Sequence, residues 1–241
     1  MTPVMFAAAA SRHDGKCMPP VTSSAWVDPG TVASFATSAP NPQLIEYARR
    51  QCRGPFTSTI MDIGCGAGRN AVPLALAGAN VIGTDLSLPM LQAARQRTSS
   101  NRLQLALAPM HALPVRDRST DFIIAHGIWN LARSGAEFRL ALAEAARVAR
   151  RGAALFVFTF SRHTLTRDAR PIAGETFVFT QFSGQPQVFL TREQLLFELH
   201  DAGFDLDLGW PLRELNLPAP GQVRIGGAPV VYEAAFRKTG D

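Results

Sequence analysis

Lysine is almost missing from this 241-residue chain: only Lys16 and Lys238 carry it, so all but two of the 24 basic side chains are arginine. Those arginines are scattered, with no dense basic run interleaved with aromatics. The net charge of +5 therefore describes a solvated surface, and a nucleic-acid partner is allowed but not indicated. Cysteine is scarce too. Cys17, Cys52 and Cys65 show no CxxC spacing, which excludes a disulfide framework or a zinc knuckle and points to a reducing, cytoplasmic setting. No cluster of metal-ligating residues stands at a ligand spacing, so no metal is expected. No apolar run approaches the roughly 20 residues of a membrane-spanning helix. The start, "MTPVMFAAAASRHDGK", lacks early basic residues and is not expected to act as a secretory signal.

With 46% hydrophobic and 18% charged residues, the chain can bury one good-sized core. Residues 1–24 have no periodic apolar face and read as a mobile tail. Residues 25–241 read as one domain. Within it, residues 25–53 form a helical lid, in which Asn41 caps a helix that has Pro42 in its first turn. Strands and helices then alternate over residues 54–160. Strands are expected near 58–63, 80–85 and 102–107, with a fourth in "STDFIIAHG" and a fully apolar one in "AALFVFTF". Helices fall near 68–77, after Ser87, and from Ser134 to Gly152. Ser134 with Glu137, and Thr191 with Gln194, have capping-box spacing. Residues 161–190 break this rhythm and read as an inserted hairpin turning at Ser183-Gly184. Residues 191–241 supply a helix and strands near 204–210 and 229–237. Alternation of this kind predicts a doubly wound α/β sheet.

Ligands bind such sheets outside the carboxyl ends of the strands. There the chain reads "DIGCGAGRN", with Gly64, Gly66 and Gly68 between a strand and a helix, and "GTDL" ends the next strand in Asp85. Glycines let the backbone approach a nucleotide closely, and an acid at Asp85 is placed to accept both hydroxyls of a ribose. A dinucleotide loop would read GxGxxG. The spacing here is GxGxG, with Arg69 in place of a third glycine. Asp62, just before the loop, suits a cationic ligand group better than a pyrophosphate.

"DIGCGAGRN", "GTDLSLPML" and "ALPVRDRSTDFIIAHGIWNL" together resemble the class I S-adenosylmethionine (SAM)-dependent methyltransferases, in the small-molecule group similar to the ubiquinone/menaquinone methyltransferases. The resemblance is strong over 56–160 and weaker to the end. It implies a Rossmann-like seven-stranded sheet with the last strand antiparallel, SAM as cofactor, and transfer of its methyl group to an O, N, S or C nucleophile of a small molecule. It also implies that Asp62, Gly64, Cys65, Gly66 and Gly68 face the methionine part of the cofactor. Asp85 would hold the ribose and Leu86 pack on the adenine. The acid that such proteins commonly use against the adenine is replaced by Pro109, which leaves Met110 and His111 for that task.

His126 ends the fourth strand where the methyl group is transferred in such proteins, and is the candidate base or pocket wall. Cys65 is expected to be a small apolar filler. Trp129, Asn130, His163 and Arg162 are candidates for the acceptor, with Arg162, Arg167 and Arg170 able to recognise an anionic one. Three other readings share parts of this pattern: an RNA methyltransferase, a non-catalytic SAM-binding protein and a nicotinamide-dependent oxidoreductase. The oligomeric state has no signal.

Overall fold

The computed structural model describes residues 25–51, 58–218 and 228–240, so the tail expected over 1–24 lies outside the described residues. One sheet organises the chain. Its strands are β1 (Thr59–Ile63), β2 (Asn80–Asp85), β3 (Leu103–Leu107), β4 (Thr120–His126), β5 (Ala149–Phe160), β8 (Phe204–Leu206) and β10 (Val231–Lys238). Across the sheet the order is β3-β2-β1-β4-β5-β10-β8. β1 pairs in parallel with β2 and β4, and β10 runs antiparallel to both β5 and β8. This is the expected seven-stranded sheet with an antiparallel last strand. An eighth, short strand that the pattern did not suggest, β9 (Arg213–Leu215), lies against the start of β10. The inserted hairpin is also present: β6 (Val178–Phe179) and β7 (Gln187–Val188) pair only with each other.

Among the described residues, six α-helices cover the sheet: α1 (Pro29–Thr37), α2 (Pro42–Gln51), α3 (Ala71–Leu76), α4 (Leu88–Gln96), α5 (Gly135–Val148) and α6 (Arg192–Asp201). Period-two alternation sorts the strand residues onto two faces. Met61, Ile63, Ile123, Ala125, Leu155 and Val157 point to the side of α5, α6 and the hairpin. Ile60, Phe122, Ile124, Phe156 and Ala235 point to the side of α2, α3 and α4.

The capping residues act largely as read. Thr191 and Gln194 form a full capping box, and Ser134 accepts the Glu137 N–H. The Glu137 carboxylate reaches one residue further back, to the Arg133 N–H. The helix α5 is shorter than expected. It ends at Val148, and Ala149 to Arg151 already belong to β5, where Ala149 pairs with Thr120 and the Arg150 side chain forms an ion pair with Asp121. Strand pairing there overrides the helical preference of "RVARR". α3 likewise starts at Ala71 rather than 68, because positive φ at Gly66 and Gly68 keeps the loop open until then. No helix among the described residues is long and apolar enough to cross a membrane.

Candidate active site

Register decides which side chains meet at the carboxyl edge of the sheet. Asp62 on β1 lies beside Ile124 on β4, and His126, Phe158 and Glu233 form the next row on β4, β5 and β10. All four polar and aromatic groups project to the face covered by α2 and α3. Asp85 stands at the end of β2, one strand away from β1.

Asp85 is tied into the glycine loop. Its Oδ2 accepts the Gly66 N–H at 2.9 Å and its Oδ1 the Ser87 N–H at 2.8 Å. Each oxygen keeps a further lone pair, which is what two ribose hydroxyls need. Burial pushes the carboxyl up from its ordinary range, and the N–H groups of Ser87, Gly66 and Leu86 pull it back. The three glycines divide their work. A Cβ on Gly64 would sit 2.6 Å from Ile128, and one on Gly68 2.9 Å from Val72 and 3.0 Å from Ala94, so these two serve packing of the protein itself. Gly66 (φ 52°) is the one with open space above it, and the first neighbour a Cβ there would meet is the Phe35 ring of α1, at 4.0 Å. Trp26 packs edge-on against Phe35, and its carbonyl accepts the Ser87 hydroxyl at 2.7 Å. The N-terminal segment thus roofs the loop.

Asp62 is 2% exposed, and its Oδ2 has no hydrogen-bond partner. Burial lifts its pKa from 3.8 to about 7, against the pull of the Arg69 guanidinium and with a push from Asp85. Arg69 is half-buried and reaches His126 Nδ1 at 3.1 Å. An orphaned buried carboxylate beside a guanidinium offers complementary charges to an amino-acid zwitterion. Further along, Leu86 is 44% exposed, Met110 is buried, and His111 Nδ1 is buried without a partner. That leaves a hydrogen-bonding atom at the end where an adenine would lie. The residues present therefore fit a nucleoside that carries an amino-acid tail. Cys65 behaves as a filler: its Sγ would sit 2.8 Å from a Cβ on Gly83, and burial holds the thiol well above its usual pKa, with Asp62 and Asp85 adding to the rise.

Three of the candidates already have partners within the protein. The first is His126. Nδ1 faces Arg69 and Nε2 faces Asn41 Nδ2, both at 3.1 Å, while the ring stacks on Phe158 with centroids 4.3 Å apart. Burial, with the Arg69 charge, depresses its pKa to about 3. Trp129 is 1% exposed and packs edge-on against Phe138 in the core, so it offers no face to an acceptor. Arg162 donates to the carbonyls of Thr166 and Ala169, each at 2.9 Å, and lies over the Phe179 ring. It braces the inserted segment. Arg167 and Arg170 are exposed. His163 is also exposed, with Nδ1 2.7 Å from Glu214 Oε1, while Asn130 is buried with Oδ1 unpartnered.

Sequence reasoning missed Glu233 and used Asn41 only as a cap. Asn41 does cap α2, with Oδ1 accepting the Gln43 and Leu44 N–H groups. Its Nδ2 donates to Glu233 Oε2 at 2.8 Å and also meets His126. The signal for Glu233 was present: it is the lone acid within the apolar run "VVYEAAF".

Residues 61–157 match the family model described as "Methyltransferase domain". A ubiquinone biosynthesis O-methyltransferase of Actinobacillus pleuropneumoniae is 34% identical over 65 residues, covering 27% of this chain and 28% of that protein. The chain thus aligns with under a third of that relative's length. Among solved structures, a SAM-dependent methyltransferase of Methanosarcina mazei superposes with a TM-score of 0.65 at 20% identity, over 84% of this chain and 99% of that one. The 1,6-didemethyltoxoflavin-N1-methyltransferase of Burkholderia thailandensis, with S-adenosylhomocysteine bound, gives 0.62 at 18% identity over 95% and 94%. At these identities the superpositions speak for the fold.

Proposed function

We propose that this chain, a class I methyltransferase in fold that carries a methyltransferase domain over residues 61–157, is a SAM-dependent enzyme that methylates a small molecule. The observation that carries the reading is the neighbourhood of Asp85 and the Asp62–Arg69 couple at one sheet edge, either side of Gly66. When bound, SAM supplies a methyl group on a positively charged sulfur that departs as a neutral thioether.

The chain's own residues bind and align. Asp85 takes the ribose hydroxyls, and Leu86, Met110 and His111 take the adenine. Arg69 and Asp62 take the carboxylate and ammonium of the methionine tail. Phe35 and Trp26 exclude water above the loop. His126, pinned between Arg69, Asn41 and Phe158, is a wall that fixes where the acceptor sits rather than a proton acceptor. Catalysis then rests chiefly on alignment in a closed site, which is able to supply a large share of the rate. We assign the protein to the cytoplasm from its cysteine usage, with a small-molecule acceptor as its partner.

Titration calorimetry with S-adenosylhomocysteine tests this directly. Binding in the micromolar range supports the reading. Absence of any heat, together with no adenosyl compound in the mass spectrum of the purified protein, would refute it.

A further inference from the structure

Glu233 is the strongest unexplained group in the molecule. It is 2% exposed, in the middle of the sheet edge, two strands from His126. Oε2 accepts from Asn41, and Oε1 is buried with no hydrogen-bond partner among the described residues. The arginine opposite it on β9, Arg213, is turned elsewhere, paired with Gln43 and lying 6.0 Å over the Trp210 ring. A buried carboxylate oxygen without a donor is costly, and folded proteins rarely leave one unless a partner arrives from outside.

A second mismatch lies beside it. Arg69 can only donate, so His126 Nδ1 must be the lone-pair nitrogen, and in the neutral ring Nε2 then carries the hydrogen. That N–H points at Asn41 Nδ2, which is also a donor. Turning the amide over is no remedy, because Asn41 Oδ1 already caps α2 and Nδ2 already serves Glu233. Around Asn41, therefore, one acceptor has no donor and two donors face each other. A hydroxyl, which donates once and accepts twice, resolves both, as does a neutral amine through its N–H and lone pair; an ammonium answers the acceptor alone.

We propose that Glu233, with Asn41 and His126, forms the acceptor subsite, and that it selects neutral acceptors bearing an O–H or N–H while refusing carboxylates and other anions. The inference rests on the methyl-transfer reading above and narrows it. The ligand's O–H or N–H donates to Glu233 Oε1, and a ligand oxygen or neutral nitrogen beside the Asn41–His126 contact accepts from Nδ2 or Nε2. An anion placed there would meet the Glu233 carboxylate, whose facing arginine, Arg213, is engaged with Gln43. This reverses the direction suggested by Arg162, Arg167 and Arg170, which lie on the inserted segment and of which the first is committed to that segment's own carbonyls.

The test uses the full chain saturated with S-adenosylhomocysteine and four probes: catechol, titrated at pH 7.5 where it is neutral, and benzylamine, titrated at pH 9.5 so that part of it is neutral, both of which carry donors, and 1,2-dimethoxybenzene and benzoate, which do not and are titrated at both pH values. Calorimetry should show catechol or benzylamine binding at least tenfold tighter than the two controls. Glu233→Gln should abolish that preference, since its amide presents a donor where Oε1 presented an acceptor, and should leave the affinity for S-adenosylhomocysteine within about twofold. Equal affinities for wild type and Glu233→Gln, or benzoate binding as tightly as catechol, would overturn the proposal. So would failure of both donor-bearing probes to bind a protein that still binds S-adenosylhomocysteine. Failure of the wild type to bind S-adenosylhomocysteine instead strikes the methyl-transfer reading itself. Should Glu233→Gln not fold, Glu233→Asp, which withdraws the carboxylate by one methylene, must weaken catechol binding in the same direction.

Discussion

Replacing Asp62 by Asn should stabilise the ligand-free protein while it weakens the cofactor site. Asp62 is buried with one oxygen unpartnered, and its pKa rises from 3.8 to about 7. A carboxyl whose folded pKa lies above its unfolded one holds its proton more tightly when folded. Stability is then greatest below about pH 4, declines as pH rises toward 7, and is lowest above it. At about 1.36 kcal/mol for each pH unit between the two values, the ionised group costs up to about 4 kcal/mol at pH 8. Asn carries no charge to desolvate and occupies the same volume. For a chain of this size, about 1 kcal/mol moves the melting temperature by roughly 2–4 °C, so the variant should melt up to about 8–16 °C higher at pH 8. At pH 4 the two proteins should melt together. Thermal denaturation across overlapping buffers reads this out, with S-adenosylhomocysteine titrations alongside. The wild type should lose affinity for the ligand as pH falls below 7, because only ionised Asp62 attracts the ammonium, and the variant should lose that dependence. An Asp62→Asn protein that melts lower than wild type at pH 8, or a difference that does not change with pH, would refute the reasoning.

Asp85→Asn should weaken S-adenosylhomocysteine by at least about tenfold in a protein that stays folded, since a charge-assisted hydrogen bond is worth about 1.5–3 kcal/mol; unchanged affinity by calorimetry would remove Asp85 from the site. With the His126 pKa near 3, the rate should show no acid limb from this residue above about pH 4, and His126→Gln should leave the pH profile's shape unaltered; a limb near pH 6.5 that disappears in the variant would restore it as a base. Trp129→Ala should cost about 3–5 kcal/mol of stability as a buried aromatic, and a variant that melts normally but fails to bind catechol would place Trp129 in the pocket after all. Arg162→Gln should lower protection of residues 165–170 from hydrogen exchange without changing benzoate or cofactor binding, and a selective loss of benzoate binding would return it to substrate recognition.

Local patterns carried most of the fold. Apolar strands beside glycine-ended helices placed β1 to β5, and Ser87, Ser134 and Thr191 each capped the helix that the spacing assigned them. The misses have physical causes. β9 is three half-buried residues, "REL", too short to show a period and paired only at the start of β10. Arg150 and Arg151 belong to a strand because Thr120 and Asp121 sit across from that stretch, a contact no local window contains. The candidate cofactor residues could be named because loop chemistry and sequence spacing coincide at 62–69 and 85. The cluster proposed for the acceptor could not. Asn41, His126 and Glu233 come from three separate elements, and it takes the sheet register to bring a helix cap against the third residue of the last strand.

The roof over Gly66 has a consequence measured in time. α1 contains no buried residue; the edge-on Trp26–Phe35 pair lies within the N-terminal segment itself, and the segment's tie to the rest of the chain includes one hydroxyl bond from Ser87 to the Trp26 carbonyl. Segments held so lightly open at a small fraction of the free energy needed to unfold the whole chain. On the proposed function, spent cofactor would leave through a hinge beside α1 while every strand of the sheet stays paired. The residence time of the adenosyl compound, and with it the ceiling on turnover, would then be a property of α1's open lifetime. Amide exchange should find α1 among the first segments to take up deuterium, and should find it slowed when S-adenosylhomocysteine is bound. If α1 proves as protected as β4 without ligand, the door is elsewhere.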